Sequence, residues 1–210
     1  MRNRDRWIIY LIIFLSVFIP LVGGLRLPPA PLTAATESFS IINELEHKSG
    51  KIAFVAMDYG PSNYAENGPQ AEVVLEHLMR RRIPFMLMTQ IPQGEGFLES
   101  VPRTVVERLK KEYPNEEWTY GVDWINIGFR TGPALFMQAL AKSDDVARYI
   151  KKDARGNDLG SLPMMNGVKT IKDVDLLVQL TGYVGTFDLY VQFFQRNGYA
   201  PTFIHGCTSI

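Results

Sequence analysis

Two charged side chains follow directly on short apolar stretches of the sequence. Asp58 comes after residues 52–57, and Arg130 comes after a stretch that ends at Phe129. A carboxylate can act as a nucleophile or hold a metal ion, and the planar guanidinium of an arginine can bind a carboxylate or phosphate through paired hydrogen bonds. Both are therefore candidates for catalysis or binding. The alternatives are that Asp58 caps its own turn and that Arg130 pairs with a nearby acid at the surface.

His205 and Cys207 are two further candidates for catalysis. They are two residues apart, so on a strand they would share one face, where a thiol could be activated by the imidazole. The alternative is that Cys207 is a small buried apolar side chain. The sequence has one cysteine and three histidines, which excludes an internal disulfide and yields no metal-ligand spacing. We therefore predict no metal site.

The loops after the apolar stretches are polar and rich in glycine, as expected of a ligand crevice at the carboxyl edge of a parallel sheet. The predicted ligand-binding residues are Asp58, Tyr59, Ser62, Arg130, Thr131, Tyr183 and Thr186. The sequence contains no Gly-x-Gly-x-x-Gly, no Gly-Lys-Ser/Thr and no Gly-x-Ser-x-Gly motif. No cofactor is therefore predicted, and the usual signature of an exported α/β hydrolase is absent.

Apolar stretches alternate with stretches of helical spacing along most of the chain. We predict strands at residues 52–57, 84–90, 123–129, 175–181 and 202–206. We predict helices at residues 69–82, 101–113, 133–142, 144–152 and 186–197, with a loop at 153–169. This alternation implies right-handed crossovers and a parallel sheet covered by helices on both faces. The expected fold class is α/β, a three-layer Rossmann-like or flavodoxin-like domain.

An apolar segment precedes this domain. Arg2, Arg4 and Arg6 are followed by 19 uncharged residues from Trp7 to Leu25. At about 1.5 Å per helical residue this run nearly spans a bilayer core, so it predicts a transmembrane helix that contacts lipid. Basic residues before a first span favour a cytoplasmic N-terminus and an extracytoplasmic domain. The alternatives are a signal peptide cleaved near residues 30–35 and a buried core helix.

The domain organisation follows from these segments. We predict a basic tip and anchor at residues 1–25, a linker at 26–46 with a stiff proline-rich stretch at 27–31, and an α/β domain at 47–210. The sequence ends directly after the last predicted strand, so we expect a truncated C-terminus. With 22 basic and 22 acidic residues, the chain lacks the positive charge of a nucleic-acid-binding protein.

Three motifs carry a resemblance to a known group of proteins. They are residues 57–62 (MDYGPS), 68–72 (GPQAE) and 120–129 (YGVDWINIGF). Together they resemble an uncharacterised family of bacterial membrane-anchored α/β proteins, over most of residues 52–207. The resemblance implies the anchored α/β architecture and a chain that continues beyond residue 210. It implies no activity and no catalytic residue.

Three hypotheses of function remain open at this point. The first is a single-span bacterial membrane protein whose extracytoplasmic domain is a binding or accessory module for an unknown small molecule. The second is an exported hydrolase or transferase that uses Asp58 with Arg130 or His205 at the ends of the strands. The third is a subunit of a larger assembly with other membrane proteins.

Overall fold

A computed structural model describes residues 3–23, 32–195 and 198–208, with side chains described from residue 5 onward. The chain divides into two compact units, Met1–Glu37 and Ser38–Ile210. Helix α2, Thr33–Glu44, includes the division between them and lies within the predicted linker at 26–46. The predicted proline-rich stretch at 27–31 and the end of the apolar segment at Leu25 lie outside the described residues.

The first unit contains helix α1, Asn3–Val22. Its 20 residues correspond to about 30 Å at the usual helical rise. The stretch Asp5–Val22 has a mean hydropathy of 2.0, and none of it is buried. The apolar surface of a helix is normally covered by other apolar groups. By its length and composition, α1 is therefore able to cross a membrane.

The second unit is built on a five-stranded parallel sheet. The strands are β1 (Ile52–Asp58), β2 (Phe85–Thr89), β3 (Trp124–Phe129), β4 (Val174–Thr181) and β5 (Thr202–Cys207). Their order across the sheet is β3-β2-β1-β4-β5. Strand β1 is central, with Val55 opposite Leu87 on one side and Val178 on the other. Every residue of β1 and β2 is buried, which explains why these strands have continuous apolar sequences.

Helices cover both faces of this sheet. They are α3 (Tyr64–Arg80), α4 (Phe97–Glu112), α5 (Pro133–Lys142), α6 (Val146–Ile150) and α7 (Thr186–Gln195). Val55 and Met57 of β1 pack in one apolar cluster with α3 and α4, whereas Phe54 and Ala56 pack in a second with α5, α6 and α7. Successive residues of a strand point to opposite faces, so the central strand contributes to both cores.

Helices α3 and α4 begin earlier than the sequence predicts, at Tyr64 and Phe97 instead of near residues 69 and 101. Each contains a proline, which costs an internal hydrogen bond and was expected to mark the helix start. The two early turns pack on each other, because the rings of Tyr64 and Phe97 stack with centroids 4.6 Å apart. Gly68 leaves room for the Tyr64 ring, which a Cβ would approach to 2.9 Å. Tertiary contact therefore stabilises both turns.

The region after α5 also differs from the prediction. Helix α6 is only five residues long and is capped by Asp145, whose carboxylate accepts a hydrogen bond from the Arg148 amide. The predicted loop at 153–169 contains two 3₁₀ turns, Leu159–Ser161 and Pro163–Met165. Its apolar side chains are buried in the core with α5 and α7. This segment is therefore part of the folded layer.

Candidate functional site

Asp58 ends β1 at the centre of the sheet, and its side chain is fully buried. Its Oδ1 accepts a hydrogen bond of 2.8 Å from the backbone amide of Gln90. Its Oδ2 accepts one of 3.1 Å from Nε2 of Gln179 and one of 2.9 Å from the Tyr190 hydroxyl. We call Asp58, Gln90, Gln179 and Tyr190 the buried carboxyl cluster. Both carboxyl oxygens are thus occupied by groups of the protein itself.

The electrostatics of this cluster follow from its burial. Burial raises the pKa of Asp58, and its hydrogen bonds from Gln90, Gln179 and Tyr190 only partly oppose that shift. Burial also raises the pKa of Tyr190 well above its usual value, so its hydroxyl remains a neutral donor. All the donors to Asp58 are neutral groups. The cluster can hold a proton, but it does not present a carboxylate at the surface.

The loops after β1 and β4 contact each other beside this cluster. Asn63 donates a 3.4 Å hydrogen bond to the Gly182 carbonyl, and a Cβ on Gly182 would clash with the Asn63 side chain. The hydroxyl of Tyr183 would lie 3.1 Å from a Cβ on Gly60. Two neighbouring strands that lead to opposite sides of a sheet leave a crevice at this point. Here the two loops contact each other across it through Asn63 and Tyr183.

Three residues with hydroxyl groups that were predicted to bind ligand, Ser62, Tyr183 and Thr186, lie at these loops. The Oγ1 atom of Thr186, which begins α7, lies 3.0 Å from the Oγ1 atom of Thr181, which ends β4. Ser62 is exposed, and its hydroxyl donates 2.9 Å to Oδ1 of Asn63. The structure therefore brings together Ser62, Thr186 and Tyr183 near the end of β1.

Tyr59, also predicted to bind ligand, lies in the core with α3 and α4. Its ring is fully buried and stacks on Phe97 with centroids 5.5 Å apart. Burial raises the pKa of Tyr59 far above the usual range, and its hydroxyl has no hydrogen-bond partner among the described residues. The position contributes packing to the core, and nothing in the structure explains the unpaired hydroxyl.

Arg130 lies at the end of β3 in an open cleft of about 690 Å³, which we call the Arg130 cleft. The cleft is lined by Phe129, Arg130, Thr131, Leu135, Phe136, Gln138, Ala139, Lys142 and Tyr149. The lining contains two cations and no acid. The rings of Phe136 and Tyr149 are 5.7 Å apart, and the Arg130 guanidinium lies 5.6 Å from the centroid of the Phe136 ring. The cleft thus combines positive charge with an aromatic wall.

The guanidinium of Arg130 is only partly satisfied. Nη2 donates 3.2 Å to the Lys152 carbonyl, and Nε has no partner in the part of the chain that the structure describes. Burial lowers the pKa of Arg130; Tyr149 partly opposes this shift, and no carboxylate contributes to it. A guanidinium has five N–H donors, so several remain for a ligand. Nε itself is enclosed by the protein, so an anion in the cleft would be bound by the donors of Nη1 and Nη2.

His205 and Cys207 lie on β5, which is an edge strand of the sheet. The His205 ring contacts Phe187 and Phe203, with centroids 5.0 and 6.1 Å away, and burial lowers its pKa. Cys207 is exposed, not buried as an apolar side chain would be. Within residues 32–195 and 198–208, no hydrogen bond joins the two side chains.

Several residues of these sites escaped the sequence analysis. Gln179 had a detectable signal, because it is the one polar side chain in the apolar stretch at 176–180. Tyr190 had none, since an aromatic residue at helical spacing is usually a core residue. Lys142 and Tyr149 reach the Arg130 cleft only because α5 and α6 pack beside β3.

Comparisons with protein-family models, with curated proteins and with solved structures give no match. The resemblance stated from the three motifs therefore brings no activity, ligand or residue role to this chain. The arguments that follow rest on the geometry of the described residues.

Proposed function

We propose that this protein is a membrane-anchored, extracytoplasmic binding or accessory module, and that its ligand carries a carboxylate or phosphate group bound by Arg130. One observation carries this proposal: a half-buried guanidinium lies in a cleft whose lining contains no acid. Partial burial of a cation is unfavourable without a partner. Either a carboxylate or a phosphate would accept paired hydrogen bonds from the planar guanidinium.

The aromatic wall of the cleft indicates what else the ligand contains. Phe136 and Tyr149 form one side, and Leu135, which is 75% exposed, lies at the opening. Small-molecule sites typically combine such apolar surfaces with a few polar groups that fix orientation. The ligand is therefore expected to join an apolar or aromatic portion to its anionic group.

Binding is favoured over catalysis by the positions of the candidate catalytic residues. Arg130 follows β3 and His205 lies on β5, which are the two opposite edges of the sheet. Four strand spacings separate these edges, or roughly 19 Å at about 4.8 Å per spacing. Asp58, between them, is fully buried with both oxygens occupied. These positions do not support a shared hydrolase or transferase site.

The strand order supports a Rossmann-like description of the domain. The order β3-β2-β1-β4-β5 corresponds to the doubly wound order of that fold, whereas a flavodoxin-like sheet places its second strand at an edge. At the usual crevice between β1 and β4, the two loops contact each other through Asn63 and Tyr183. The Arg130 cleft, at the end of the edge strand β3, is therefore the proposed ligand site.

The anchored topology is tested with reporters fused after Arg26. An alkaline phosphatase reporter is expected to be active, because that enzyme matures only outside the cytoplasm, and a cytoplasmic fluorescent reporter at the same position is expected to be dark. The three arginines before α1 are the basis of this orientation. The reverse pattern would overturn it. The mass of the membrane-bound chain distinguishes a retained anchor from a cleaved one.

Ligand binding is tested with the full chain in nonionic detergent micelles. Phenyl phosphate and benzoate are the probes, and benzyl alcohol is the neutral control with the same ring. We expect saturable binding of at least one anionic probe and a loss of about tenfold or more in affinity for Arg130→Gln. Arg103→Gln is the matched control, since Arg103 is an exposed arginine of α4. Equal binding by both variants, or by benzyl alcohol, would contradict the proposal.

A further inference from the structure

A second basic cavity lies between α6 and the segment that follows it. Its volume is about 550 Å³. The charged residues that line it are Arg148, Lys151, Lys152, Lys169, Asp145 and Asp158. Four cations thus face two acids, although the whole chain carries equal numbers of basic and acidic residues. We call this space the α6 cavity, and it shares no lining residue with the Arg130 cleft.

Both acidic residues that line the α6 cavity already interact with other groups of the protein. Asp145 accepts a 3.0 Å hydrogen bond from the Arg148 amide as the cap of α6, and its other oxygen lies 3.6 Å from Nζ of Lys169. Asp158 accepts a 2.9 Å hydrogen bond from the Gly160 amide. These contacts fix the walls of the cavity. Both acids remain charged, so the four cations and two acids give the lining a net positive charge.

Among the described residues, the other three cations of the cavity form no ion pair, although the charge of Arg148 helps to lower the pKa of Asp145. Neither Arg148 nor the two lysines at 151 and 152 has an ion pair within the described part of the chain, whereas Lys169 has one. Three like charges around one space repel each other, and an anion between them would relieve that repulsion. The charge distribution therefore favours an anionic ligand.

The backbone fixes the two lysines at the lip of this cavity. Lys151 has φ +68° and ψ −60°, and the Lys152 amide donates 2.9 Å to the Ile150 carbonyl, which together define a γ-turn. The Leu159 amide donates 2.9 Å to the Lys151 carbonyl and ties the turn to the opposite wall. The turn therefore fixes the backbone positions from which both exposed lysine side chains extend.

Apolar residues form the floor beneath these charges. Met165 and Val168 are almost fully buried and line the cavity. We propose that the α6 cavity binds a phosphate-bearing small molecule, with its phosphate among Arg148, Lys151 and Lys152 and its carbon skeleton toward Met165. The phosphate belongs to either a soluble ester or a lipid headgroup. This site is independent of the ligand proposed for Arg130.

The proposal is tested with the full chain in nonionic detergent micelles and two phosphate probes. Glycerol 3-phosphate represents the soluble ester, and dihexanoyl phosphatidylglycerol represents the lipid headgroup. Glycerol and dihexanoyl phosphatidylcholine are their respective controls. Saturable binding of glycerol 3-phosphate alone assigns a soluble ligand, and binding of the phosphatidylglycerol but not the phosphatidylcholine assigns a headgroup. No saturable binding of either probe overturns the proposal.

A pair of double variants separates this cavity from general charge effects. Lys151→Gln with Lys152→Gln is expected to weaken the binding of the active probe by about tenfold or more. Lys110→Gln with Lys111→Gln removes the same charge from two exposed lysines of α4 and is expected to leave binding unchanged. Equal losses in the two double variants would overturn the site. Arg148→Gln, which leaves the γ-turn intact, repeats the test if the first double variant is unstable.

Discussion

The buried carboxyl cluster and the Arg130 cleft both lie at the carboxyl ends of strands in one sheet, but their charged groups have opposite surroundings. Asp58 is fully buried and receives three hydrogen bonds from neutral groups of the protein. Arg130 is half-buried and donates one hydrogen bond, to a backbone carbonyl. Burial shifts both pKa values toward the neutral form.

This difference separates a group that serves the fold from one that is free for a ligand. Polar groups that satisfy each other inside a protein contribute to a unique packing, and removing one leaves the others unpaired. A charge without a partner contributes little to stability and gains most from a ligand. Substitution of Asp58 should therefore mainly lower stability, whereas substitution of Arg130 should mainly weaken binding.

The largest effect on stability is expected from Asp58→Ala. This change leaves the Gln90 amide, the Gln179 amide group and the Tyr190 hydroxyl without an acceptor in the core. We expect the free energy of unfolding to fall by about 3 kcal/mol. Urea unfolding monitored by circular dichroism measures it. Asp58→Asn is the control, because it keeps an acceptor for the backbone amide of Gln90. Its free energy of unfolding should fall much less. Equal stability of Asp58→Ala and the natural chain would mean that the cluster is not structural.

A smaller effect concerns pH. Because burial raises the pKa of Asp58, the folded state keeps a proton that the unfolded chain releases above the ordinary value of 3.8. Stability due to Asp58 is therefore greatest at low pH and declines as the pH rises from 3.8 through the folded-state pKa. We expect the stability of the natural chain relative to Asp58→Asn to decline as the pH rises above 3.8.

Other carboxylates act in a different pH range and do not obscure this comparison. Hydrogen bonds and nearby cations lower the pKa of Asp145, and hydrogen bonds also outweigh burial to lower that of Asp153. Their contributions are lost as the pH falls below 3.8, and both variants share them. Urea unfolding at several pH values gives the difference. A difference that stays constant with pH would show that Asp58 ionises normally.

The smallest effect on stability is expected from Arg130→Gln. It removes one hydrogen bond and a desolvated charge that has no acidic partner, so the free energy of unfolding should change by less than about 0.5 kcal/mol. Arg82→Gln is the matched comparison, because Arg82 pairs with Glu116 at 2.7 Å and lies over the Trp118 ring. That change should cost about 1 kcal/mol. A larger loss for Arg130→Gln would give Arg130 a structural role.

The strands were the most predictable part of the fold. All five were located within about two residues because strands covered on both faces have short apolar sequences that end at polar turns. The α/β class and the parallel sheet followed from the alternation. The starts of α3 and α4 did not, since the stack of Tyr64 on Phe97 joins residues that are far apart in the sequence. The strand order was equally inaccessible, because alternation does not determine which strand pairs with β1.

The candidate sites were likewise predictable only in part. Asp58 and Arg130 were identified because each stands directly after a strand, where parallel sheets place their ligands. Their surroundings were not identified, because the residues that form them are distant in sequence or lie on other elements. Gln179 is 121 residues from Asp58, and Tyr149 lies on α6 whereas Arg130 follows β3. Sequence position thus indicated which side chains lie at the carboxyl ends of the strands. Only the packing of distant elements showed that Asp58 is enclosed and that Arg130 lines an open cleft.

The position of β1 also determines the order in which the sheet can be completed. As the chain is made from its N-terminus, β1, β2 and β3 exist before β4, and β4 is the strand that completes the pairing of β1. Until then the central strand has one row of unpaired N–H and C=O groups, which is a template for another strand. Contacts between such distant segments form slowly. The half-made sheet is therefore the species in which association with a neighbouring nascent chain competes with folding.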